Sequence, residues 1–319
     1  MKTSKMPITP QLSIVVPCYN EESVLLETAK RISNLLNDLQ EKKKVAPQSM
    51  VWFVDDGSQD RTWQLIEELS KTHTNVRGIR LSRNRGHQNA LLAGLLNACG
   101  DVLVSVDADL QDDLTAIEQM LDAYQLGHDI VYGVRKCRNS DTFFKRFTAE
   151  GYYRILAKMG VDIVFNHADY RLMSRRTIEA LRCYQEVNLF LRGIIPQMGY
   201  PSTNVFYDRA ERFAGESKYP FRKMLAFGWQ GITSFSTAPL RMITGLGLLI
   251  SFGSFIITMW AVYVKLFSNL TVPGWTSTVV PIYLLGGIQL LCIGIIGEYL
   301  AKIYMETKRR PPFFIDKII

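Results

Sequence analysis

Residues 101–112 read DVLVSVDADLQD, a short run of apolar and β-branched residues that ends in two aspartates one residue apart. Residues 12–17, 51–56, 76–82 and 129–135 form similar runs, and helix-length stretches separate them. This alternation is typical of βαβ units, whose right-handed crossovers stack the strands side by side in parallel. We therefore predict an α/β, Rossmann-like fold with a mostly parallel sheet and helices on both faces.

Polar and acidic residues follow three of these runs, at the carboxyl ends of the predicted strands. Residues 17–22 read PCYNEE, residues 55–62 read DDGSQDRT, and residues 107–111 read DADLQ. Ligands of parallel α/β sheets bind beyond the carboxyl ends of the strands, so we expect these three segments to line one site. Ser58 and Asp60 are also explained as helix caps.

Asp107 and Asp109 form an Asp-x-Asp motif, which helix capping does not explain. At the end of a strand this spacing turns both carboxylates to the same side of the chain. Carboxylate oxygens suit a hard divalent cation that also takes oxygens from a diphosphate. The motif is common by chance, but its place after a buried strand, beside two other acidic strand ends, favours a Mg²⁺ or Mn²⁺ site.

Two long apolar stretches, residues 242–264 and 276–297, contain no charged side chain. As helices, each would be long enough to cross a hydrocarbon core of roughly 30 Å. A pair of core helices in a soluble protein is the alternative, but a short Pro/Gly loop between two such stretches favours a transmembrane hairpin. Basic residues flank the pair on its outer sides, and the loop has only Lys265. We therefore expect an inner- or plasma-membrane protein with both termini and the catalytic part in the cytoplasm.

The composition excludes several classes of protein. The chain has 319 residues, of which 47% are hydrophobic, so it is not mainly disordered. Its net charge of +7 comes largely from basic residues near the apolar stretches, where anionic lipid is a simpler partner than nucleic acid. The five cysteines include no C-x-x-C pair, so neither a zinc site nor a disulfide framework is indicated.

Four motifs together resemble family 2 glycosyltransferases of the GT-A fold: PCYNEE, VDDGSQDRT, LSRNRGHQNALLAG and DVLVSVDADLQD. Other segments resemble the polyprenyl-phosphate glycosyltransferases, and these are HADYRLMSRR (residues 167–176), ERFAGESKYPF (residues 211–221), SFSTAPLRM before the first span and GGIQLLCIGIIGEYL in the second. The chain is most similar to bactoprenol glucosyltransferases and, more distantly, to dolichyl-phosphate mannose synthase. The resemblance implies a GT-A domain, interfacial helices, two transmembrane helices and a homo-oligomer, a tetramer.

We expect four parts along the chain: a cytosolic GT-A domain over residues 1–215, an interfacial amphipathic segment over 216–240, a transmembrane hairpin over 241–305 and a cytosolic tail over 306–319. The interfacial assignment depends on aromatic and basic residues that alternate just before the first span. Residues 141–158 have a similar composition, which a core helix with a solvated basic face explains equally well.

The implied activity is inverting transfer of a single sugar, glucose from UDP-glucose, to undecaprenyl phosphate on the cytosolic face of the membrane. The chemistry of the acceptor agrees with this activity. A phosphomonoester has a second pKa of about 6 and is largely dianionic at neutral pH, so it attacks without a strong base. The leaving nucleoside diphosphate accumulates negative charge, which a metal at the Asp-x-Asp motif would stabilise.

The resemblance also implies the roles of individual residues. The donor nucleotide site would comprise Pro17, Tyr19, Glu21, Asp55, Asp56, Arg83, Gly86 and Asp107. The metal would be held by Asp107, Asp109 and Gln111, and the first two are also expected to act in catalysis.

Asp169 occupies the position of an aspartate that lies beside the acceptor phosphate in relatives, so we assign it to catalysis or to acceptor positioning. We expect it in a loop. A salt bridge between Asp169 and Arg171 or Arg175 is the alternative. Candidates for binding the acceptor phosphate are Arg135, Lys145, Arg146, Arg212 and Lys218. His87 is expected to be a surface or capping residue in a loop that approaches the donor.

Three other functions remain open. The donor could instead be UDP-N-acetylglucosamine, UDP-galactose or a 4-amino-arabinose derivative, because no sequence feature reports hydroxyl stereochemistry. A processive polysaccharide synthase would need more spans and a Q-x-x-R-W motif, and neither is present. A non-catalytic membrane scaffold would not need Asp107, Asp109 and Asp169, which are all present.

Overall fold

The computed structural model describes residues 9–135, 167–186, 190–208, 238–267 and 274–319. The chain forms two compact units. Of the described residues, those up to 208 and those from 309 to 319 belong to the first unit, and 238–267 and 274–308 belong to the second.

An eight-stranded sheet forms the centre of the first unit, in the order β7-β5-β6-β4-β1-β2-β3-β8. The strands are β1 (Leu12–Cys18), β2 (Met50–Asp55), β3 (Val76–Leu81), β4 (Val102–Ser105), β5 (Ile130–Arg135), β6 (His167–Ser174), β7 (Ser202–Tyr207) and β8 (Ile315–Ile318). Only β6 and β8 run antiparallel to their neighbours. The five predicted strands and the mostly parallel α/β sheet are confirmed.

Six described helices belong to the first unit: α1 (Leu25–Glu41), α2 (Thr62–Thr72), α3 (His87–Asn97), α4 (Ala116–Gln125), α5 (Arg175–Arg182) and α6 (Leu191–Gln197). The apolar face of α1, with Ile32, Leu36 and Leu39, is fully buried in the core under the sheet. Helix α3 packs tightly against the sheet because Gly94 has no side chain. A Cβ atom there would lie 2.3 Å from Cγ1 of Val15 on β1. This close packing fixes the first residue of α3, His87, at the carboxyl edge of the parallel strands.

Strand β6 corrects the expectation that Asp169 lies in a loop. Residues His167–Ser174 form a strand between β4 and β5 and run antiparallel to both. Tyr170 and Leu172 on this strand are fully buried. The charged side chains on the other face, Asp169 and Arg171, neutralise each other, which allows a polar sequence to occupy the middle of a sheet.

Strand β8 comes from the end of the chain and pairs with the edge strand β3. Ile79 and Arg80 face Ile318 and Lys317 in an antiparallel ladder. Immediately before β8, the carbonyl of Phe314 accepts a hydrogen bond from the backbone N–H of Ser82 at 3.0 Å. The guanidinium of Arg85 lies 5.8 Å from the centre of the Phe314 ring. The residues after the last helix therefore cover the sheet edge and contact the segment that follows β3.

Ending the chain after Pro312 is expected to lower the free energy of unfolding by about 2–4 kcal/mol. The truncation removes the β3–β8 ladder and the side chain of Ile319, which packs on the core. Thermal unfolding should detect the change as a fall of roughly 5–10 °C. The matched control is Lys317→Ala, which loses only an exposed ion pair with Glu67 and should cost less than about 1 kcal/mol. An unchanged unfolding temperature in the truncated chain would contradict this role of β8.

Two long helices, α7 (Ala238–Phe267) and α8 (Trp275–Lys308), account for most of the second unit. The two apolar stretches singled out in the sequence lie within them. Large apolar side chains are exposed on both helices, among them Phe252 and Trp260 on α7 and Leu290 and Ile293 on α8. Within the described residues, one helical segment, Ile288–Lys308, has the length and composition of a membrane span.

Candidate active site

The loops after β1 and β2 bind each other at the carboxyl edge of the sheet. The backbone N–H of Asn20 donates to Oγ of Ser58 at 3.0 Å, and the N–H of Gln59 donates back to Oδ1 of Asn20 at 2.9 Å. The N–H of Glu21 donates to Oγ1 of Thr62 at 2.9 Å. Tyr19 lies in the same loop, with its ring exposed, after the buried Pro17 of β1. Two of the predicted polar segments thus form one surface.

Asp56 holds the loop that follows β3. Its two carboxylate oxygens accept hydrogen bonds from the backbone N–H groups of Arg85, at 2.7 Å, and Gly86, at 2.8 Å. Burial raises the pKa of Asp56, although both hydrogen bonds oppose that effect. Gly57, next in the chain, has a positive φ of 67° and lies so close to Arg83 that a Cβ atom would be 2.7 Å from its carbonyl carbon. Asp56 therefore shapes the segment containing Arg83 and Gly86.

Asp55 is fully buried and has an unsatisfied oxygen. Its Oδ1 accepts a hydrogen bond from the N–H of Ser58 at 3.2 Å. Its Oδ2 has no hydrogen-bond partner among the described residues, and Nε of Arg80 lies 3.8 Å away. Burial raises the pKa of this carboxyl group. An orphaned acceptor at a strand end is a feature that a bound ligand satisfies.

The Asp-x-Asp motif lies two residues beyond β4, in a tight turn. Oδ1 of Asp109 accepts a hydrogen bond from the N–H of Gln111 at 3.2 Å, and Leu110 between them has a positive φ of 57°. About a third of the Asp107 side chain is exposed. Burial raises the pKa of Asp107 to about 6; His87 opposes this shift, and the nearby carboxylates of Asp112, Asp169 and Asp109 add to it.

The residues of this turn fit a divalent cation. Several carboxylates with hard oxygen donors are crowded around Asp107, and a cation would relieve their mutual repulsion. Within the described ranges, no three His, Cys, Asp or Glu side chains converge as a complete ligand set. A cation held by Asp107 and Asp109 would therefore need further oxygens, which a diphosphate can supply.

Asp169 lies on β6 at the centre of a cluster of basic side chains. Its side chain is only 7% exposed. Oδ1 accepts a hydrogen bond from Nη2 of Arg171, and the carboxylate binds Nε and Nη2 of Arg192 at 3.2 and 3.0 Å. Burial raises the pKa of Asp169, but His87, Arg171 and Arg192 outweigh that effect and hold it well below its usual range. The ion pair with Arg171, one of the two partners foreseen as the alternative for Asp169, is present.

His87 connects Asp169 to the Asp-x-Asp motif. Its Nε2 lies 3.6 Å from Oδ1 of Asp107 and 3.6 Å from Oδ2 of Asp169. Burial lowers the pKa of His87, but the two carboxylates outweigh it and the net shift is upwards. His87 is exposed, as expected of a surface residue, but it begins α3 instead of lying in a loop, and its ring faces the acidic group. Its place directly after a predicted strand-end segment was the available signal.

Arg192 was not singled out from the sequence. It lies in the first turn of α6, whose sequence LRGIIPQ is otherwise apolar except for its last residue. A single basic residue on a buried helix was the only signal, and its partner on β6 is 23 positions away.

Arg135 was predicted to bind the acceptor phosphate, and it contacts Asp112, not Asp169. Its Nη2 lies 3.4 Å from Oδ1 of Asp112, and its Nε donates to the hydroxyl of Tyr207 at 3.2 Å. The Tyr207 hydroxyl in turn donates to Oδ1 of Asp112 at 2.5 Å. The other four candidates, Lys145, Arg146, Arg212 and Lys218, lie outside the described residues.

The sequence is similar to that of known glycosyltransferases. The profile described as "Glycosyl transferase family 2" matches residues 13–182. The "Uncharacterized glycosyltransferase YkoT" of Bacillus subtilis is 51% identical over 96% of this chain and 91% of its own length. The "Bactoprenol glucosyl transferase" of Shigella phage SfII is 38% identical over 96% of this chain and 98% of its own length. The "Prophage bactoprenol glucosyl transferase homolog" of Escherichia coli is 37% identical over 97% of this chain and 99% of its own.

Proposed function

Because the chain belongs to glycosyltransferase family 2, we propose that it transfers one glucose residue from UDP-glucose to undecaprenyl phosphate at the cytosolic face of the membrane. Relatives named as bactoprenol glucosyl transferases match it over nearly their whole length, which supports a shared acceptor. The observation that carries the proposal is the placement of Asp107 and Asp169 on either side of one ring nitrogen of His87. A donor-side motif and an acceptor-side carboxylate then border one reaction centre.

The reaction is a single displacement at the anomeric carbon of the sugar. An oxygen of the acceptor phosphate forms the new bond to this carbon from the face opposite the diphosphate. The bond from the carbon to the β-phosphate oxygen breaks, and UDP leaves with the electron pair. A dianionic acceptor loses no proton in this step, so the site needs oriented charge more than it needs a base.

Asp107, Asp109 and Gln111 are the residues we propose as ligands of Mg²⁺ or Mn²⁺. When bound, the cation would supply positive charge against the negative charge that develops on the leaving diphosphate. The turn at Leu110 gives Asp109 and Gln111 a fixed relative position through their hydrogen bond.

The nucleotide is proposed to bind at the surface formed by the loops after β1 and β2. The unsatisfied Oδ2 of Asp55 supports this placement, because a base or ribose donor would complete its hydrogen bonding. The exposed ring of Tyr19 offers a face for stacking. Pro17, Glu21, Arg83 and Gly86 are proposed to line the remainder of the nucleotide site.

We propose that α7 and α8 form a transmembrane hairpin. The strands before α7 and strand β8 after α8 belong to one hydrogen-bonded sheet, so the chain on both sides of the helices lies in the same compartment. The number of membrane crossings between them must then be even. Two helices with exposed apolar side chains fit two crossings.

The test is a transfer assay with the purified full-length protein in detergent. Undecaprenyl phosphate and Mg²⁺ or Mn²⁺ are incubated with radiolabelled UDP-glucose, and separately with UDP-galactose and UDP-N-acetylglucosamine. We expect label in the lipid fraction from UDP-glucose, with kcat/KM at least about tenfold higher than for either other donor. Preferred transfer of another sugar would replace glucose in the proposal. The same assay is repeated with a UDP-linked 4-amino-arabinose derivative, and binding of UDP without transfer from any of the four donors would favour a scaffold.

A further inference from the structure

Arg171 requires the negative charge of Asp169 as its counter-ion. The Arg171 side chain is fully buried on β6. Its Nη2 donates to Asp169, whereas its Nε and Nη1 have no hydrogen-bond partner in the described part of the chain. A buried guanidinium is strongly unfavourable without a carboxylate beside it. The single negative charge of Asp169 is therefore already balanced within β6.

Arg192 adds a second positive charge to the same carboxylate. It binds both oxygens of Asp169, so its guanidinium is held in one orientation. Unlike Arg171, it has 32% of its side chain exposed. Arg171 is fully buried, so of these two arginines only Arg192 can present its guanidinium to a ligand.

This guanidinium lies next to the predicted sugar donor. Nε2 of His87 is 3.6 Å from Asp169 and 3.6 Å from Asp107 of the Asp-x-Asp motif. An acceptor phosphate that attacks the anomeric carbon must approach a donor that already carries a diphosphate. At this close approach, the acceptor phosphate and the donor diphosphate repel each other unless a cation lies between or beside them.

We propose that Arg192 binds the phosphate of the lipid acceptor, in an orientation that Asp169 fixes. This inference rests on the proposed function and adds a residue to it. The ligand is a phosphomonoester dianion, which a planar guanidinium recognises through charge and paired hydrogen bonds. Asp169 is then a positioning residue, because its carboxylate is engaged by two arginines and does not accept a proton from the acceptor. The lowered pKa of Asp169 agrees with this role.

The same guanidinium could instead contact the diphosphate of the donor, and the experiment separates the two sources. KM is measured for undecaprenyl phosphate and for UDP-glucose with the full-length parent, Arg192→Gln and Arg192→Lys. For Arg192→Gln we expect KM for undecaprenyl phosphate to rise about tenfold to a hundredfold and KM for UDP-glucose to change less than about twofold. Arg192→Lys keeps the charge without the paired geometry, so its rise should be smaller.

A second readout isolates the phosphate from the prenyl chain. Undecaprenol lacks the phosphate, and its inhibition constant should be the same for the parent and for Arg192→Gln. The matched control is Arg176→Gln, which removes another arginine that pairs with a buried aspartate, Asp129, at the opposite edge of the sheet. This control should leave both KM values unchanged.

Each outcome bears on one proposal. Absence of transfer by the parent would refute the proposed function, whereas the inference about Arg192 is judged only on a parent that transfers. A rise in KM for UDP-glucose instead of undecaprenyl phosphate would assign Arg192 to the donor and overturn the inference. Unchanged KM values with a lower kcat would also overturn it. If Arg192→Gln does not fold, as thermal unfolding reports, the comparison of Arg192→Lys with the parent decides the question.

Discussion

Asp109→Asn is expected to lower kcat for transfer at least about a thousandfold. The substitution keeps the shape of the side chain but removes one of the two carboxylate charges that would hold the cation opposite the leaving diphosphate. The measurement is transfer of labelled sugar to undecaprenyl phosphate at saturating substrates, with the metal concentration varied. Metal-dependent binding of UDP should weaken in parallel, because the same cation contacts the diphosphate.

Asp113→Asn is the matched control for this prediction. Asp113 lies in the same acidic segment, but its Oδ1 accepts hydrogen bonds from the N–H and hydroxyl of Thr115, at 2.9 and 2.7 Å, before α4. Asparagine serves as well as aspartate in such a turn, so activity should stay within about twofold of the parent. An Asp109→Asn protein that is folded and fully active would contradict the metal site. A parent that binds UDP but shows no turnover, so that Asp109→Asn changes nothing, would favour the scaffold.

Asp169→Asn is expected to lower the free energy of unfolding by about 3–5 kcal/mol. Asparagine leaves the fully buried guanidinium of Arg171 without a counter-ion, and breaking a buried ion pair from one side has this cost. Thermal unfolding should show a fall of roughly 10 °C. The loss of transfer in this variant would then have a structural cause in addition to any effect on the acceptor.

Two further variants test that explanation. Asp169→Asn combined with Arg171→Met removes both charges, so most of the lost stability should return while transfer does not. Asp129→Asn breaks the pair with Arg176, whose side chain is 59% exposed and remains hydrated. Its free energy of unfolding should therefore fall by less than that of Asp169→Asn. Equal losses for Asp169→Asn and Asp129→Asn would show that burial of the arginine is not the cause.

Five of the six strands in the parallel part of the fold were predictable because each is a local apolar run, whereas β7, with mostly exposed or half-buried residues, was not predicted. Strands β1, β2, β4 and β5 are buried along nearly their whole length, and the polar segments after β1, β2 and β4 mark the edge where ligands bind. Grouping these segments at one edge required only the rule that parallel strands end together. The carboxylates beside Asp107 come instead from its own segment and from Asp169 on the antiparallel strand β6.

The antiparallel strands were not predictable from local sequence. In β6 a buried ion pair between Asp169 and Arg171 takes the place of apolar residues, so the run lacks the usual hydrophobic pattern. In β8 the residues are half polar because an edge strand covers only one neighbour. Both strands are defined by partners far away in the sequence.

The basic residues of the site also differ in whether their contacts could be predicted from the sequence. Arg171 could be paired with Asp169 by its position on the same strand, two residues away. Arg192 and His87 reach Asp169 only after α3 and α6 pack against the sheet, and Gly94 sets how closely α3 approaches. Contacts that depend on helix packing leave little trace in a single sequence.

The pairing of β3 with β8 also determines the order in which the protein is completed. Ile79 leaves the ribosome before either long helix is made, whereas its partner Ile318 is synthesised after both of them. Closing a chain segment of this length is slow compared with forming the βαβ units, whose contacts are local. The sheet therefore acquires its last strand only when α7 and α8 have been made, and until then β3 is an open edge that a chaperone or another chain can bind.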